Sequence, residues 1–169
     1  HFTFIANDGT VNSTEASIDI SITPINDPPV AFPSQIIMAE DLKYKFTLTA
    51  TDVDGDVLEY IIQIPPEHGS LEGTAPSYIY RPFPNYNGTD SLTFTTRDSQ
   101  SESAPAVISI SISPTNDAPL AERTFTSTLV GQPVHFTLLA EDIDGDALGF
   151  DVLVPPSHGT LSGLPPDLT

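Results

Sequence analysis

Cysteine and tryptophan do not occur among the 169 residues. Without cysteine there is no disulfide framework and no thiolate metal site. Basic residues are scarce: Lys and Arg total 5 against 23 Asp and Glu, a formal net charge of −18. Nucleic acid and anionic membrane both need basic surface, so neither is expected as a partner. No apolar run approaches the ~18 residues of a membrane span. No basic segment followed by an apolar stretch opens the sequence, so no signal peptide is expected. The first residues, "HFTFIANDG", read as the middle of a strand, and the sequence is expected to be an internal stretch of something longer. No stretch holds a helical period, and no Gly-rich phosphate loop occurs.

What is present is alternation, repeated. An acidic disordered chain is excluded by apolar residues that make up 38% of the sequence and fall on alternate positions. "TDVDGDVLEYIIQIPPEHGSLEGTAP" (51–76) aligns without a gap on "EDIDGDALGFDVLVPPSHGTLSGLPP" (141–166), an offset of 90 residues. "HFTFIANDGTVNSTEASIDISITPINDPPVA" (1–31) aligns on "SLTFTTRDSQSESAPAVISISISPTNDAPLA" (91–121) at the same offset. Fixed-period self-similarity marks a tandem array. Residues 1–29 are therefore read as the C-terminal part of one repeat. Residues 30–119 are read as a complete repeat and 120–169 as the N-terminal part of a third.

Within a repeat, Phe46, Leu48 and Ala50 alternate with polar residues, as do Leu58, Tyr60, Ile62 and Ile64. Tyr78 and Tyr80 bracket Ile79, Leu92 and Phe94 alternate with threonines, and "AVISISIS" (106–113) alternates throughout. Such runs, bounded by Pro, Gly, Asn and Asp, predict half-buried strands. With a strand near 33–38 and a short one at "GSLEG", the repeat has seven. The expected fold class is all-β: tandem seven-stranded Greek-key sandwiches of the Ig-like type, about 90 residues each.

Counting the strands up and down sorts the acidic loops into two clusters. The top of the middle repeat holds Asp52, Asp54, Asp56 and Asp98, beside Asn26 and Asp27 of the preceding linker. The bottom holds Glu40 and Asp90, with Asn87 near them, beside Asn116 and Asp117 of the next linker. Asp142, Asp144 and Asp146 of the third repeat face that linker. Two carboxylates ~4 Å apart repel by ~1 kcal/mol in water and by several at lower effective dielectric. Aspartates make turns well without any ion. Several acidic loops converging on each junction point further, to a cation. Ca²⁺ suits that donor set, since it takes six to eight oxygens from carboxylates, amides and carbonyls. An EF-hand fits less well, because it wants Gly at Val57 and Glu at Gln63. These junction residues other than Asn87, thirteen in all, are the expected metal ligands.

Catalysis is not expected. His68 and His158 recur at one repeat position, before Gly, with no nucleophile beside them, and read as turn residues. Paired carboxylates could serve a glycosidase, but their repetition at junctions favours metal binding. The sequons at Asn12 and Asn87 carry little weight.

"DVDGDVLEY", "PPEHGSLEG", "YRPFPNYNGTDSLTF" and "PTNDAPLA" resemble the tandem bacterial Ig-like, cadherin-like repeats of very large surface and secreted proteins, such as RTX-type adhesins and their VCBS-like relatives. "NDPP" and "NDAP" look like the cadherin calcium linker and "DVDGD" like the Asp-x-Asp of the following domain. Asp98 looks like that domain's later Asp. Glu40 resembles the acidic residue ending the first strand, and Asp90 the acidic loop before the sixth. The third repeat departs, with "LVGQ" (129–132) where the second has "MAEDL". The resemblance implies a non-enzymatic, extracellular, Ca²⁺-binding stalk segment, rigidified at its junctions. Its partners would be neighbouring repeats and a cell-surface glycan or protein. A carbohydrate- or protein-binding module is the alternative; it calls for exposed aromatics, and Tyr86 is the residue to examine. Homophilic adhesion by strand exchange is a third reading that the sequence leaves open.

Overall fold

The computed structural model describes the whole chain, His1–Thr169, and contains no helix. Strands β1 (Phe2–Phe4) and β2 (Ala16–Ile18) form an antiparallel hairpin. The central sandwich follows. It runs through β3 (Val30–Phe32), β4 (Ser34–Ala39), β5 (Tyr44–Thr47), β6 (Thr49–Thr51), β7 (Glu59–Ile64), β8 (Gly69–Thr74), β9 (Ser77–Pro82), β10 (Gly88–Arg97) and β11 (Ala106–Ser113). One sheet has the order β4-β11-β10-β7. Facing it are β3-β6 and β5-β9-β8.

Nine segments stand where seven strands are expected because two strands divide. Pro33 lies between β3 and β4 and has no N–H to donate to a ladder. There the chain leaves its antiparallel partner β6 and crosses to the other sheet, pairing in parallel with β11. The second division is at Leu48, between β5 and β6. Its N–H donates to the carbonyl of Pro76 at 2.9 Å, and its side chain is buried.

The core follows the alternation. Ile36, Met38, Leu92, Phe94, Ile108, Ile110 and Ile112 from one sheet meet Leu48 and Tyr80 from the other. Fully burying such a side chain is worth about 1.5–3 kcal/mol. The expected alternation breaks at Ile64, which is exposed; the pairing of β7 with β10 shifts register opposite it, between Thr93 and Phe94. Gly69 is required by close approach: a Cβ there would lie 2.5 Å from the Tyr80 ring and 2.6 Å from the carbonyl oxygen of Arg81.

Residues 120–169 repeat half of this plan. Strands β12 (Leu120–Ala121) and β14 (Ala140–Glu141) pair as β3 and β6 do, 90 residues on. Strand β13 (Phe136–Thr137) pairs with β16 (Asp167–Leu168), which also pairs with β15 (Gly163–Leu164), as β5, β9 and β8 do. Segments 124–129 and 149–154, the counterparts of β4 and β7, form no strand.

Amide hydrogen exchange should be slowest in β10 and β11, which have strand neighbours on both sides, and faster in 1–24 and 120–169. Uniform protection along the chain would contradict this architecture. Gly69→Ala should cost about 1–3 kcal/mol by forcing the Tyr80 ring aside, read as a lowered urea midpoint at unchanged slope.

Candidate functional site

The "DVDGD" loop closes on its own first aspartate. Asp52 Oδ1 accepts the backbone N–H of Asp54 at 2.9 Å and of Asp56 at 3.3 Å. Gly55 holds φ at +78°, the left-handed region that lets the turn close. The turn presents Asp54 to the preceding linker, where Asp54 Oδ2 accepts the N–H of Asp27 at 2.8 Å. Asn26 reaches the neighbouring loop: its Nδ2 donates to Asp98 Oδ2 at 3.1 Å and to Ser101 Oγ at 3.2 Å. Its Oδ1 accepts from Gln100 Nε2 at 3.0 Å. Asp98 also accepts N–H bonds from Gln100 and Ser101 and the Ser101 hydroxyl. The Gln100 N–H, helped by Asn26 and Ser101 against the cost of desolvation, lowers its pKa to about 2.

The lower junction has the same form. Asp142 Oδ1 accepts from Asp144 and Asp146 N–H at 3.0 and 3.2 Å, with Gly145 at φ +77°. Asp144 Oδ2 accepts the N–H of Asp117 at 2.7 Å, and Asn116 Nδ2 braces the linker on the Asp117 carbonyl at 2.9 Å. From the central sandwich comes Glu40, buried, with its carboxylate accepting Thr115 N–H at 2.6 Å and Asn87 Nδ2 at 3.4 Å. Asp41 is in the left-handed region at φ 59° and accepts the N–H of Asn85 at 3.1 Å. Desolvation raises the pKa of Asp117, and the charges of Asp41, Asp144, Glu40 and Asp142 add to it. Its ionisation therefore works against the packed junction as pH rises through that pKa.

Each junction leaves one buried carboxylate oxygen without a donor, Oδ2 of Asp52 above and Oδ2 of Asp117 below. The donor set is all oxygen. In this arrangement no group of three or more His, Asp or Glu side chains closes around one point as a metal cage.

The structure thus assembles Asn26, Asp27, Asp52, Asp54 and Asp98 at one end of the sandwich. It assembles Glu40, Asn116, Asp117, Asp142 and Asp144 at the other. Asp56 and Asp146 enter as backbone donors to the turn. Asp90 is corrected from junction ligand to internal clasp. Its oxygens accept the N–H groups of Glu67, His68 and Ser91 at 3.0, 3.0 and 2.8 Å and the Tyr80 hydroxyl at 2.7 Å. It is not among the charges that act on Asp117. Burial pushes the Asp90 carboxyl up, but these hydrogen bonds outweigh it and the net shift is down. Tyr80 is shifted up by burial and by Asp90. His68 stacks on Tyr86 with ring centroids 4.2 Å apart, and Tyr86 packs on the core. Tyr86 is therefore not an exposed platform.

Asp41, Gln100 and Ser101 are not among the expected ligands. For Asp41 a signal existed: the counterpart 90 residues on is Gly131, at φ +77°. For Gln100 and Ser101 there was none, since polar loop residues are common everywhere.

The family described as bacterial Ig domain matches residues 26–111. Integrin beta-like protein A of Dictyostelium discoideum is 30% identical over 187 aligned positions, which cover 96% of this chain and 9% of that protein. The chain thus spans about a tenth of the length of this relative. Among solved structures, human protocadherin-24 EC1-2 is similar at 24% identity and a TM-score of 0.46, over 70% of this chain and 61% of that one. An endo-fucoidan hydrolase of glycoside hydrolase family 107 is similar at 21% identity and a TM-score of 0.44, over 99% of this chain and 28% of that one.

Asp90→Asn should destabilise the central sandwich by about 2–4 kcal/mol, because an amide places N–H groups against buried donors. Tyr80→Phe should cost about 1–2 kcal/mol. The Asp90 pKa is lowered on folding, so its contribution is complete above the unfolded carboxylate range and is lost as pH falls through the folded value. Urea midpoints of wild type and Asp90→Asn should converge in acid; a constant gap at all pH would contradict the clasp.

Proposed function

The chain belongs to the bacterial Ig domain family, and from that premise we propose that it is a non-enzymatic structural segment of an extracellular stalk, braced by Ca²⁺ at its inter-repeat junctions. The observation that carries the proposal is recurrence. The linker N–H meets the second aspartate of the loop at 2.8 Å at one junction and 2.7 Å at the next. Asp117 is desolvated among four other carboxylates below, and an oxygen without a donor is left at each junction. A divalent ion is the simplest relief for such like charge.

Asn26, Asp27, Asp52, Asp54 and Asp98 would serve an upper ion. Asn116, Asp117, Asp142, Asp144, Glu40 and Asp41 would serve a lower one. The ion neutralises facing loops and couples each sandwich to its linker. Affinities of ~10⁻⁴–10⁻³ M suit extracellular modules. Without the ion the same charges repel and the junction loosens. An adhesive stalk of the RTX or VCBS-like kind is the larger protein this reading suggests, with a surface glycan or protein as its distal target. The sugar-binding alternative is disfavoured by Tyr86, which packs inward.

Calorimetric titration with Ca²⁺ should give saturable heat. Asp54→Ala and Asp144→Ala should each remove the contribution of one junction, with the central sandwich still folded. Calcium should raise the melting temperature far more than equal magnesium, since many-oxygen sites suit the larger ion. Equal effects of the two ions would mean only screening of the charge, and would overturn the proposal. Small-angle scattering should show a narrower distribution of shapes with calcium than with chelator.

A further inference from the structure

The geometry points to a binding surface for a short acidic carbohydrate on the outer face of the β5-β9-β8 sheet. That sheet turns Phe46, Leu71, Tyr78 and Tyr80 to the core. The alternate residues form its opposite face. The register sets Ser70 beside Arg81, and Ile79 between Glu72 and Lys45. Ser77 stands between Thr74 and Thr47. Lys43, one residue before β5, has the parity of Lys45 and continues the register towards Arg81. Cβ atoms directly across such a sheet are about 4.5–5.5 Å apart, and same-face residues along one strand about 6.5 Å. Lys43, Lys45 and Arg81 therefore share one patch.

Three of the five basic residues of the chain stand here, and all three are exposed. The one carboxylate in the same grid is Glu72, whose Oε1 is 3.3 Å from Arg81 Nε. Neither Lys43 nor Lys45 forms an ion pair, although the chain carries 23 acids. The patch is thus a local surplus of positive charge on a chain of net charge −18. The fold does not require it, since the positions 90 residues on from Lys43 and Lys45 hold Pro133 and His135. Lysine on an edge strand deters pairing with other chains. Arg81 lies on β9, the middle strand of the three, where that role does not arise.

The chemistry selects the ligand. Unpaired cations beside one another call for an anion, through charge-assisted hydrogen bonds. The acidic ends of the sandwich repel a long polyanion, but at physiological salt their field decays over about 8 Å. A short ligand lying within the patch escapes it. Hydroxyls complete the face: those of Thr47 and Ser77 are 3.2 Å apart, and Ser70 and Thr74 are exposed beside them. Ile79, half-buried, is the apolar centre. Hydroxyl groups and cations around a small apolar centre match a sugar ring that bears a carboxylate or a sulfate. Peptides dock along strand edges or in grooves, whereas these cations stand on the flat of the sheet. Recognition by charge and hydroxyl groups needs no exposed aromatic. The inference rests on the reading of this chain as a segment that meets a surface glycan, and not on calcium at the junctions.

The test is amide chemical-shift mapping on the full chain in calcium-containing buffer. The probes are a short galacturonate oligomer, a short sulfated galactose oligomer and its unsulfated form. An acidic oligomer should shift amides in 43–47, 70–74 and 77–81, and the neutral one should not. Which of the two acidic probes acts separates carboxylate from sulfate. Lys43→Glu with Lys45→Glu should abolish the shifts and leave the rest of the spectrum in place. Glu72→Gln frees Arg81 and should tighten binding about two- to fivefold, the worth of an exposed ion pair. Added salt should weaken binding. Silence from both acidic probes, or shifts that survive the double lysine variant, overturns the proposal. So do shifts confined to 26–27, 52–56 and 98, or to 116–117 and 142–146, which would place the sugar on junction ions instead. A short glutamate peptide that shifts the patch as strongly as the sugars would make the partner a peptide, and overturns it too.

Discussion

Strands β10 and β11 hold one sheet of this protein together. Each outer strand of that sheet, β4 and β7, has a single strand neighbour, and in both cases it is one of this pair. Backbone polar groups need partners if a segment is to become a strand. Where the pair is present, the flanking segments are strands and a core of Leu, Phe and Ile forms beneath them. Segment 149–154 keeps the apolar alternation but pairs with no neighbour and forms no strand. The opposite sheet shows no such dependence, since its ladders recur at both repeat positions.

On that scaffold the acidic loops are placed by hydrogen bonds to the backbone. The first aspartate of each "DxDGD" loop is used internally to fold the turn. The second is thereby aimed at the linker, and its carboxylate receives the linker's N–H. A bare cluster of negative charge is unfavourable, and the carboxylates of Asp52, Asp54, Asp98, Glu40, Asp142 and Asp144 each take a backbone N–H. Asp98 shows the result as a pKa lowered to about 2. Asp117, surrounded by other acids, is shifted the opposite way.

The alternation from Phe46 to "AVISISIS" placed most strands and nearly all of the core, because side-chain direction in a strand depends only on parity. The divisions at Pro33 and Leu48 were harder to read, since which sheet a segment joins depends on long-range partners. The convergence of Asp27 with Asp54 followed from counting strands. Asp90 was misplaced for a reason visible afterwards. It shares the parity of Leu92 and Phe94, both inward, and an acid on that parity must be buried and satisfied. Glu40 has the same relation to Ile36 and Met38. Its partner Thr115 is 75 residues away and carries no marker in the sequence.

The parallel pairing of β4 with β11 has a mechanical meaning. The chain enters the sandwich near the start of β4, at one end, and leaves from the end of β11, at the other. Tension applied through the two linkers therefore pulls these neighbouring strands in opposite directions along their lengths. Their ladder, from Ile108↔Ser34 to Ser113↔Ala39, is loaded in shear. Its hydrogen bonds share the load and must yield together, unlike those of a hairpin opened from one end. Traction along an array of such repeats falls on the direction in which each sandwich is hardest to open.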